Sequence, residues 1–541
     1  MNKLFSWIKN LNIDFYLVTL LLLAIVGCIV FTGHYNGILI DFGREVYYPE
    51  RILDGKILYK DLFNIYGPFS YLMNAFLYKC FGANLYTLYA AGTVLALTLT
   101  GFIYKIADLF LSKVQSFAIG FFAIAVGICT TVIFNFTFPY SWGMLYGTVF
   151  FAISLYYLLK SIDENNDCRN ILYSSLFAGL AVANKYEFIP YALLIIFYIF
   201  KSRKNIPLAL CSFFAPIAVS YGILFLQGLN FSELIDALSI VKTMSKTQTL
   251  KYFYLNHGIF FSVKAVLLDL IIFVPVFLTI LFFFKANKTK KLPAHLCLFT
   301  GAFLTLILAQ KVNHDTFIYL PLLLIFVFLW QIRKITDKKI FYLFTATILL
   351  SLKSIWALMI FGYGSYYVSF LLISLFTLIN ENWKKAIYLF LYCISAIFIL
   401  QNYQNIPSTY INTERGKIYT NSSNVLSEVT NYFSSLPNTD RVLFLPEGMI
   451  LNFLTHTKSD DFYNSFIPLY IETFSEKTLI EHYQQTKPEY IVFSNTDMRD
   501  YGYESICQDY ALQFCSYVLN NYDLTEKFSE NTNTFLIYKK K

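Results

Sequence analysis

Between residues 41 and 70 the chain reads DFGREVYYPERILDGKILYKDLFNIYGPFS, a stretch with carboxylates, arginines and tyrosines close enough to act together. Asp41 and Glu45 stand about one helical turn apart, with Arg44 between them. A carboxylate beside a hydroxyl can take its proton, and a guanidinium can hold an oxyanion. Tyr48, Asp61 and Tyr66 supply further polar groups, and Gly67-Pro68 ends the stretch in a turn. Plainer roles stand beside these: Asp41 as the N-cap of a helix through GREVYYPERIL, Glu50 and Arg51 as partners on a solvated helix face, and Asp61 with Tyr66-Gly67-Pro68 as turn formers. A connector between two apolar helices needs only a few polar residues, so a thirty-residue stretch rich in them reads as a site.

Other ionisable groups interrupt apolar surroundings. Lys185 and Glu187 break an apolar run at NKYE, Lys311 and His314 lie in AQKVNHDTFIYLP, Lys353 sits in LLSLKSIWALMIF, and Lys264 and Asp269 occur in FFSVKAVLLDLIIF. A charge at the centre of a bilayer costs roughly 2.5–3.5 kcal/mol on insertion scales. Lys264 and Asp269 read as a snorkelling lysine and an interhelical hydrogen bond. Lys185 with Glu187, Lys311, His314 and Lys353 are candidate partners of an anion, and the plain alternatives are mutual pairing of Lys185 with Glu187 and ordinary interfacial positions for the others.

The elements that must position these residues follow from composition. The 541 residues are 57% hydrophobic, 19% aromatic and only 14% charged, and mean hydropathy is +0.53. These values lie outside soluble-globular averages and indicate a polytopic membrane protein. Apolar segments able to cross a hydrocarbon core of ~30 Å run near 15–33, 88–107, 116–135, 142–159, 206–226, 258–284, 294–310, 316–332, 340–360, 365–380 and 386–401. A tight hairpin spans 171–200, giving about thirteen crossings. Of the Lys and Arg residues in loops before 402, nineteen fall on one side of this alternation and ten on the other. The positive-inside rule then places the amino terminus in the cytoplasm and the first loop, 34–87, outside. An amphipathic helix is expected within 41–70, with Tyr47, Tyr48, Ile52 and Leu53 toward the membrane.

After residue 401 the balance changes: 11 basic and 17 acidic residues follow it, leaving 31 and 17 before it. The overall charge of +8 is therefore topological and does not point to nucleic acid. RVLFLP (441–446), YIVFSN (490–495) and TFLIYKKK read as strands, while NVLSEVTNYFSSL, TLIEHYQQT and ESICQDYALQFCSYVLNNY have helical spacing. The chain thus divides into a transmembrane part, 1–401, and a small α/β domain, 402–541, on the extracytoplasmic side. That domain has no glycine-rich phosphate loop after a strand. The nine cysteines show no metal-ligand spacing. Cys507 and Cys515, on a continuous helix, would stand ~12 Å apart and remain free thiols.

The first loop and the lysine-bearing hairpin AGLAVANKYEFIPYALLIIF resemble the GT-C superfamily of polyprenyl-phosphate-dependent membrane glycosyltransferases. Bacterial members related to protein O-mannosyltransferases and lipid A aminoarabinose transferases show the same order of Asp, amphipathic helix, Gly, Leu-Tyr, Asp and Gly-Pro before a second helix. The likeness covers roughly residues 10–400, and only the first loop is specific. It implies an all-α polytopic fold with many spans and an appended extracytoplasmic domain. It also implies transfer of a sugar from a polyprenyl-phosphate donor to a lipid, glycan or protein acceptor at the cytoplasmic membrane. On this reading Asp41 is the base, with Glu45 next, and Arg44, Lys185, Lys311, His314 and Lys353 hold the donor phosphate. Tyr48, Asp61, Tyr66 and Glu187 line the substrate pocket, and no cofactor is indicated. The family's Asp-Glu dipeptide is here Asp41-Phe42, which leaves the branch and any metal requirement open. A polysaccharide or lipid transporter and a non-catalytic membrane subunit are the competing functions; the transporter should show repeated halves, and none are visible.

Overall fold

The computed structural model describes residues 14–163, 167–257, 263–264, 266–267, 270–271, 319–333, 335–352, 359–360, 362–379, 381–436, 441–459, 462–531 and 533–541. It is mostly helical, with a small sheet domain at the carboxyl end. The helices before that domain are α1 (Phe15–Phe31), α2 (Phe42–Leu53), α3 (Phe69–Phe81), α4 (Leu85–Asp108), α5 (Lys113–Gly127), α6 (Trp142–Asp163), α7 (Cys168–Asn184), α8 (Ile189–Ser202), α9 (Ile206–Gln227), α10 (Phe231–Met244), α11 (Gln248–His257), α12 (Leu320–Gln331), α13 (Lys338–Leu350), α14 (Gly364–Leu378) and α15 (Glu381–Gln404).

Among the described residues α4, α6 and α9 are long and apolar enough to cross a membrane. Others are apolar but short: α1 has 17 residues and α5 has 15, fewer than the ~20 of a perpendicular crossing. The expected count of about thirteen spans is therefore not reproduced here, and the segments 258–284 and 294–310 lie outside the described residues. Large apolar side chains on α1 and α9 face no protein, with Ile29 77% and Leu226 90% exposed. Such bare faces suit lipid, where association gains little from burying one apolar surface on another. At one end of the bundle Lys113 pairs with Asp14 at 2.6 Å and Lys339 with Asp163 at 2.8 Å. The site lies at the other end.

The carboxyl-terminal domain opens with the hairpin β1 (Tyr410–Thr413) and β2 (Gly416–Tyr419). There follow α16 (Ser423–Ser434), β3 (Val442–Leu445), α17 (Met449–Thr455), α18 (Pro468–Phe474), α19 (Glu476–Thr486), β4 (Tyr490–Ser494), α20 (Leu512–Asn521), β5 (Tyr522–Glu530) and β6 (Asn533–Lys540). The four-stranded sheet has the order β3-β4-β6-β5. Strands β3 and β4 are parallel, with Val442 opposite Tyr490, and the other pairings are antiparallel. Every residue of β3 and β4 is buried, as expected of parallel strands covered on both faces. ESICQDYALQFCSYVLNNY departs from the expected helix. Only Leu512–Asn521 is helical, and Cys507 has a positive φ of 65° in the turn before it. The chain folds back there, bringing the Cα atoms of Cys507 and Cys515 to 5.6 Å, and the two cysteines form a disulfide rather than remaining free thiols.

Helix α2 is the amphipathic helix expected in 41–70, but it does not lie on a membrane surface. Ten of its twelve residues are buried, because the bundle packs on one side and the carboxyl-terminal domain on the other. The Ser459 amide donates to the Tyr47 hydroxyl at 2.8 Å, and Asn464 Nδ2 donates to that of Tyr48 at 3.3 Å. Tyr47 and Tyr48 thus face the sheet domain; the sequence pattern marks their side as apolar without saying what covers it. Glu50 and Arg51 do not pair on a solvated face either. Glu50 binds Arg415, and Arg51 binds Asp54. Gly43 lies against α17, where a Cβ atom would stand 2.5 Å from the Ile450 nitrogen. Gly43→Ala should therefore push the sheet domain off α2 and destabilise the protein by roughly 1–3 kcal/mol, the usual cost of overpacking. Thermal unfolding and faster proteolysis after residue 401 would register it, and a variant as stable as the parent would contradict this packing.

Candidate active site

Asp41 is the residue at which the chain turns into α2. Its backbone has φ 67° and ψ −35°, and the Phe42 amide donates to the Ile40 carbonyl at 2.9 Å across it. This is a γ-turn with positive φ, a strained conformation for a residue carrying a Cβ. The side chain makes no capping hydrogen bond to α2, so the N-cap role does not account for Asp41. The turn instead directs the Asp41 amide to the carboxylate of Glu447, whose Oε1 accepts from it at 3.1 Å.

Glu447 was not singled out from the sequence. It follows β3 in LPEGM, just past the carboxyl end of a buried parallel strand, where open α/β sheets place their ligands. That position was the available signal. The side chain is buried, with 4% exposure, and also accepts from Ser465 Oγ at 3.3 Å. Burial pushes its pKa up to about 8; the neighbouring charge of Asp41 acts in the same direction and Arg44 acts against it. At neutral pH Glu447 therefore holds a proton while sitting beside Asp41. Tyr470 and Tyr501, also from the carboxyl-terminal domain, feel the charges of both carboxyl groups.

Glu45 has a different setting. It is buried, accepting from the Tyr71 hydroxyl at 2.8 Å and from the Trp142 amide at 3.0 Å, with Arg44 Nε at 3.5 Å. Its carboxylate thus sits on the first amide of α6, where the helix dipole favours negative charge, and it fastens α2 to both α3 and α6. Desolvation nevertheless leaves its pKa raised; Arg44 and the two hydrogen bonds oppose this.

Two cations flank the ring of Tyr66. The Arg44 guanidinium carbon is 5.6 Å from its centroid and Lys185 Nζ is 4.3 Å from it. Lys185 is the residue that ends α7, and a 3-10 turn at Tyr186–Phe188 links it to α8; this is the expected hairpin tip. Its side chain is 0% exposed and is ringed by Tyr66, Tyr140 at 5.6 Å and Tyr363 at 5.8 Å. Glu187 lies 3.7 Å away, yet Nζ has no hydrogen-bond partner among the described residues. A buried ammonium lacking hydrogen bonds is uncommon, since burial without them is costly. Gly67 fixes this arrangement: a Cβ there would come within 2.1 Å of the Ala183 carbonyl oxygen, so the Tyr66 loop can lie on the end of α7 only with glycine next in the chain.

The remaining sequence candidates separate. The Asp61 carboxylate accepts from the Ile57 amide at 2.9 Å and shapes the turn there. The Tyr48 ring packs 5.8 Å from Tyr71. Lys311, His314 and Lys353 lie outside the described residues, as does Asp269. Lys264 is exposed. Among the described residues no three His, Cys, Asp or Glu side chains gather as a metal site.

No family model matches the chain, and no curated protein matches it. Among solved structures, that of ArnT from Cupriavidus metallidurans bound to undecaprenyl phosphate aligns over 96% of this chain and 97% of its own, at 10% identity and a TM-score of 0.45. The archaeal oligosaccharyltransferase AglB from Archaeoglobus fulgidus, in complex with an inhibitory peptide and a dolichol-phosphate, aligns over 88% of this chain and 69% of its own, at 11% identity and a TM-score of 0.47. A second structure of the Archaeoglobus fulgidus oligosaccharyltransferase, with zinc and sulfate, aligns over 88% and 67%, at 12% identity and a TM-score of 0.49.

Proposed function

We propose that the protein is an integral glycosyltransferase of the cytoplasmic membrane. It moves a sugar from a polyprenyl-phosphate-type lipid to an acceptor outside the cytoplasm. One juxtaposition carries this reading: Arg44 is near enough to the Glu447–Asp41 carboxyl pair for its charge to act on Glu447, and it shares the Tyr66 ring with Lys185, whose buried ammonium lacks a hydrogen bond among the described residues. One end of that arrangement can take a proton and the other can hold a phosphate. The Cys507–Cys515 disulfide supports an extracytoplasmic site, because disulfides persist in oxidising compartments. The amino terminus is then cytoplasmic, in line with the lysine and arginine distribution.

In this mechanism Asp41 accepts the proton of the acceptor hydroxyl as its oxygen attacks the anomeric carbon. The bond from that carbon to the phosphate oxygen breaks, and its electron pair leaves with the lipid phosphate. Lys185 and Arg44 stabilise the departing anion. Lys311, His314 and Lys353 keep their proposed place as further cations on the phosphate. Glu45 positions Arg44, and Tyr66 keeps the two cations apart, with Glu187 against Lys185. Glu447, its pKa raised by burial and by the charge of Asp41, is the member of the pair that favours the protonated form.

Asp41→Asn should lower transfer by ~10² to 10⁴-fold, the usual scale of a lost general base, while the protein folds and binds the lipid donor as before. Transfer of radiolabel from polyprenyl-phosphate sugars to a membrane extract measures it, and a rate within about threefold of the parent would remove Asp41 from this role. Lys185→Ala should instead raise the donor KM by roughly 10–100-fold, the worth of a hydrogen bond to a charged group. Glu447 gives a pH dependence. Its pKa in the folded chain lies above the ordinary 4.5, so its contribution to stability is complete below about 4.5 and is lost as pH rises through about 8. Glu447→Gln should flatten that fall in thermal stability, and a slope unchanged by the substitution would contradict the assignment.

A further inference from the structure

A cleft of about 360 Å³ lies between the segment leading into Asp41 and the carboxyl-terminal domain, within the size range of small-molecule sites. Residues 36–40 form one wall, ending one residue before Asp41, and the ends of β4 and β6 form the other. The bundle and the sheet domain are stitched together at its rim: the Tyr35 amide donates to the Tyr419 carbonyl at 3.0 Å, and the Tyr419 amide donates to Gly33 at 2.7 Å. Asn36, Asn421, Ser422 and Asn495 line the cleft with amides and a hydroxyl, of which Asn36 Nδ2 donates to Thr131 Oγ1, Asn495 Oδ1 accepts from the Thr534 amide and Ser422 Oγ accepts from Asn533 Nδ2, and Ile38 and Phe535 bring buried apolar surface. Thr420 also lines it. Its side chain is 1% exposed, and its hydroxyl is buried with no partner among the described residues.

We propose that this cleft binds a neutral saccharide, which is the acceptor delivered to Asp41. The acceptor role rests on the glycosyltransferase reading above, while the binding itself does not. The chemistry of the walls selects the ligand. A pyranose offers hydroxyls at its rim and C–H groups on its faces, matching amides beside apolar surface. Among the described residues no lysine or arginine lines the cleft, so a phosphate or carboxylate meets no counter-ion among them. Among the described residues lining it, the one carboxylate, Asp497, is held by the guanidinium of Arg499, so a cationic ligand meets no free carboxylate among them. An extended peptide bound by strand addition would need an open sheet edge to pair with. The strands at the cleft, β4 and β6, are both interior in the order β3-β4-β6-β5.

Two substitutions test this without touching the proposed catalytic groups. Gly37 lines the cleft, has no positive φ, and a Cβ there meets nothing within 4 Å, so Gly37→Trp fills the space while the chain can fold. Thr420→Val removes the unpaired hydroxyl at nearly constant shape, which a purely structural role would register as no loss of stability or a gain. Full-length protein in lipid nanodiscs is titrated with maltohexaose, chitohexaose, a heparin hexasaccharide and a Ser/Thr-rich peptide, and thermal unfolding confirms that each variant folds. At least one neutral hexasaccharide should bind, Gly37→Trp should abolish that binding, and Thr420→Val should weaken it about two- to tenfold, the range for one lost hydrogen bond. Binding of neither neutral saccharide, binding indifferent to Gly37→Trp, or preference of the cleft for heparin or peptide would each overturn the proposal. Donor cleavage is measured on the same nanodiscs. Saccharide binding without transfer from any lipid-linked sugar would remove the glycosyltransferase reading and leave the cleft assignment standing.

Discussion

The burial of α2 is the constraint on which the site depends. This short helix carries Arg44, Glu45, Glu50 and Arg51 and yet lies between the bundle and the sheet domain, where each charge taken from water must find a partner. Each does: Arg44 faces Glu45, Glu50 meets Arg415, and Arg51 meets Asp54. Only one of these partners is remote in the chain. Arg415 also donates to the Ala83 carbonyl and reaches His456, so the Glu50–Arg415 pair ties the start of the sheet domain to the first loop. A charged helix that would be unremarkable on a surface thereby becomes the fixed strut that holds Asp41 and Arg44 in place.

Placing the carboxyl pair across this seam has an electrostatic consequence. Two carboxyl groups in close proximity, one of them buried, do not both ionise readily. Glu447, enclosed by the sheet domain, is pushed toward its protonated form by burial and by the charge of Asp41 beside it. The seam thus shifts one of two similar side chains by environment, the general route to an acid and a base within one centre. It also makes the carboxyl-terminal domain part of the site, since Glu447, Tyr470 and Tyr501 all come from it.

Much of this was legible in the sequence, and the gaps have physical causes. The dense first loop, the hairpin broken at Lys185, and the strands at 441–446 and 490–495 are local patterns, set by polarity, periodicity and turn residues, and they recur in the structure. What covers a helix face is not local. Tyr47 and Tyr48 form an apolar stripe that suits a lipid surface as well as a protein one, and only the return of the chain some four hundred residues later decides between them. Glu447 was hidden for the same reason: an isolated glutamate after a strand gains meaning only from Asp41 opposite it. The disulfide was lost because apolar spacing over 504–522 suggested one continuous helix, whereas Cys507 sits in a left-handed turn that reverses the chain.

The central claim is that Asp41 and Glu447 form one functional pair across the seam between the bundle and the sheet domain. A double-mutant cycle tests it most directly, by comparing single-turnover sugar transfer in Asp41→Asn, Glu447→Leu and the doubly substituted protein. If the two groups act as a unit, Glu447→Leu slows the parent but the double variant is no slower than Asp41→Asn alone. Losses that multiply independently would show that Glu447 acts apart from Asp41 and would contradict a shared centre.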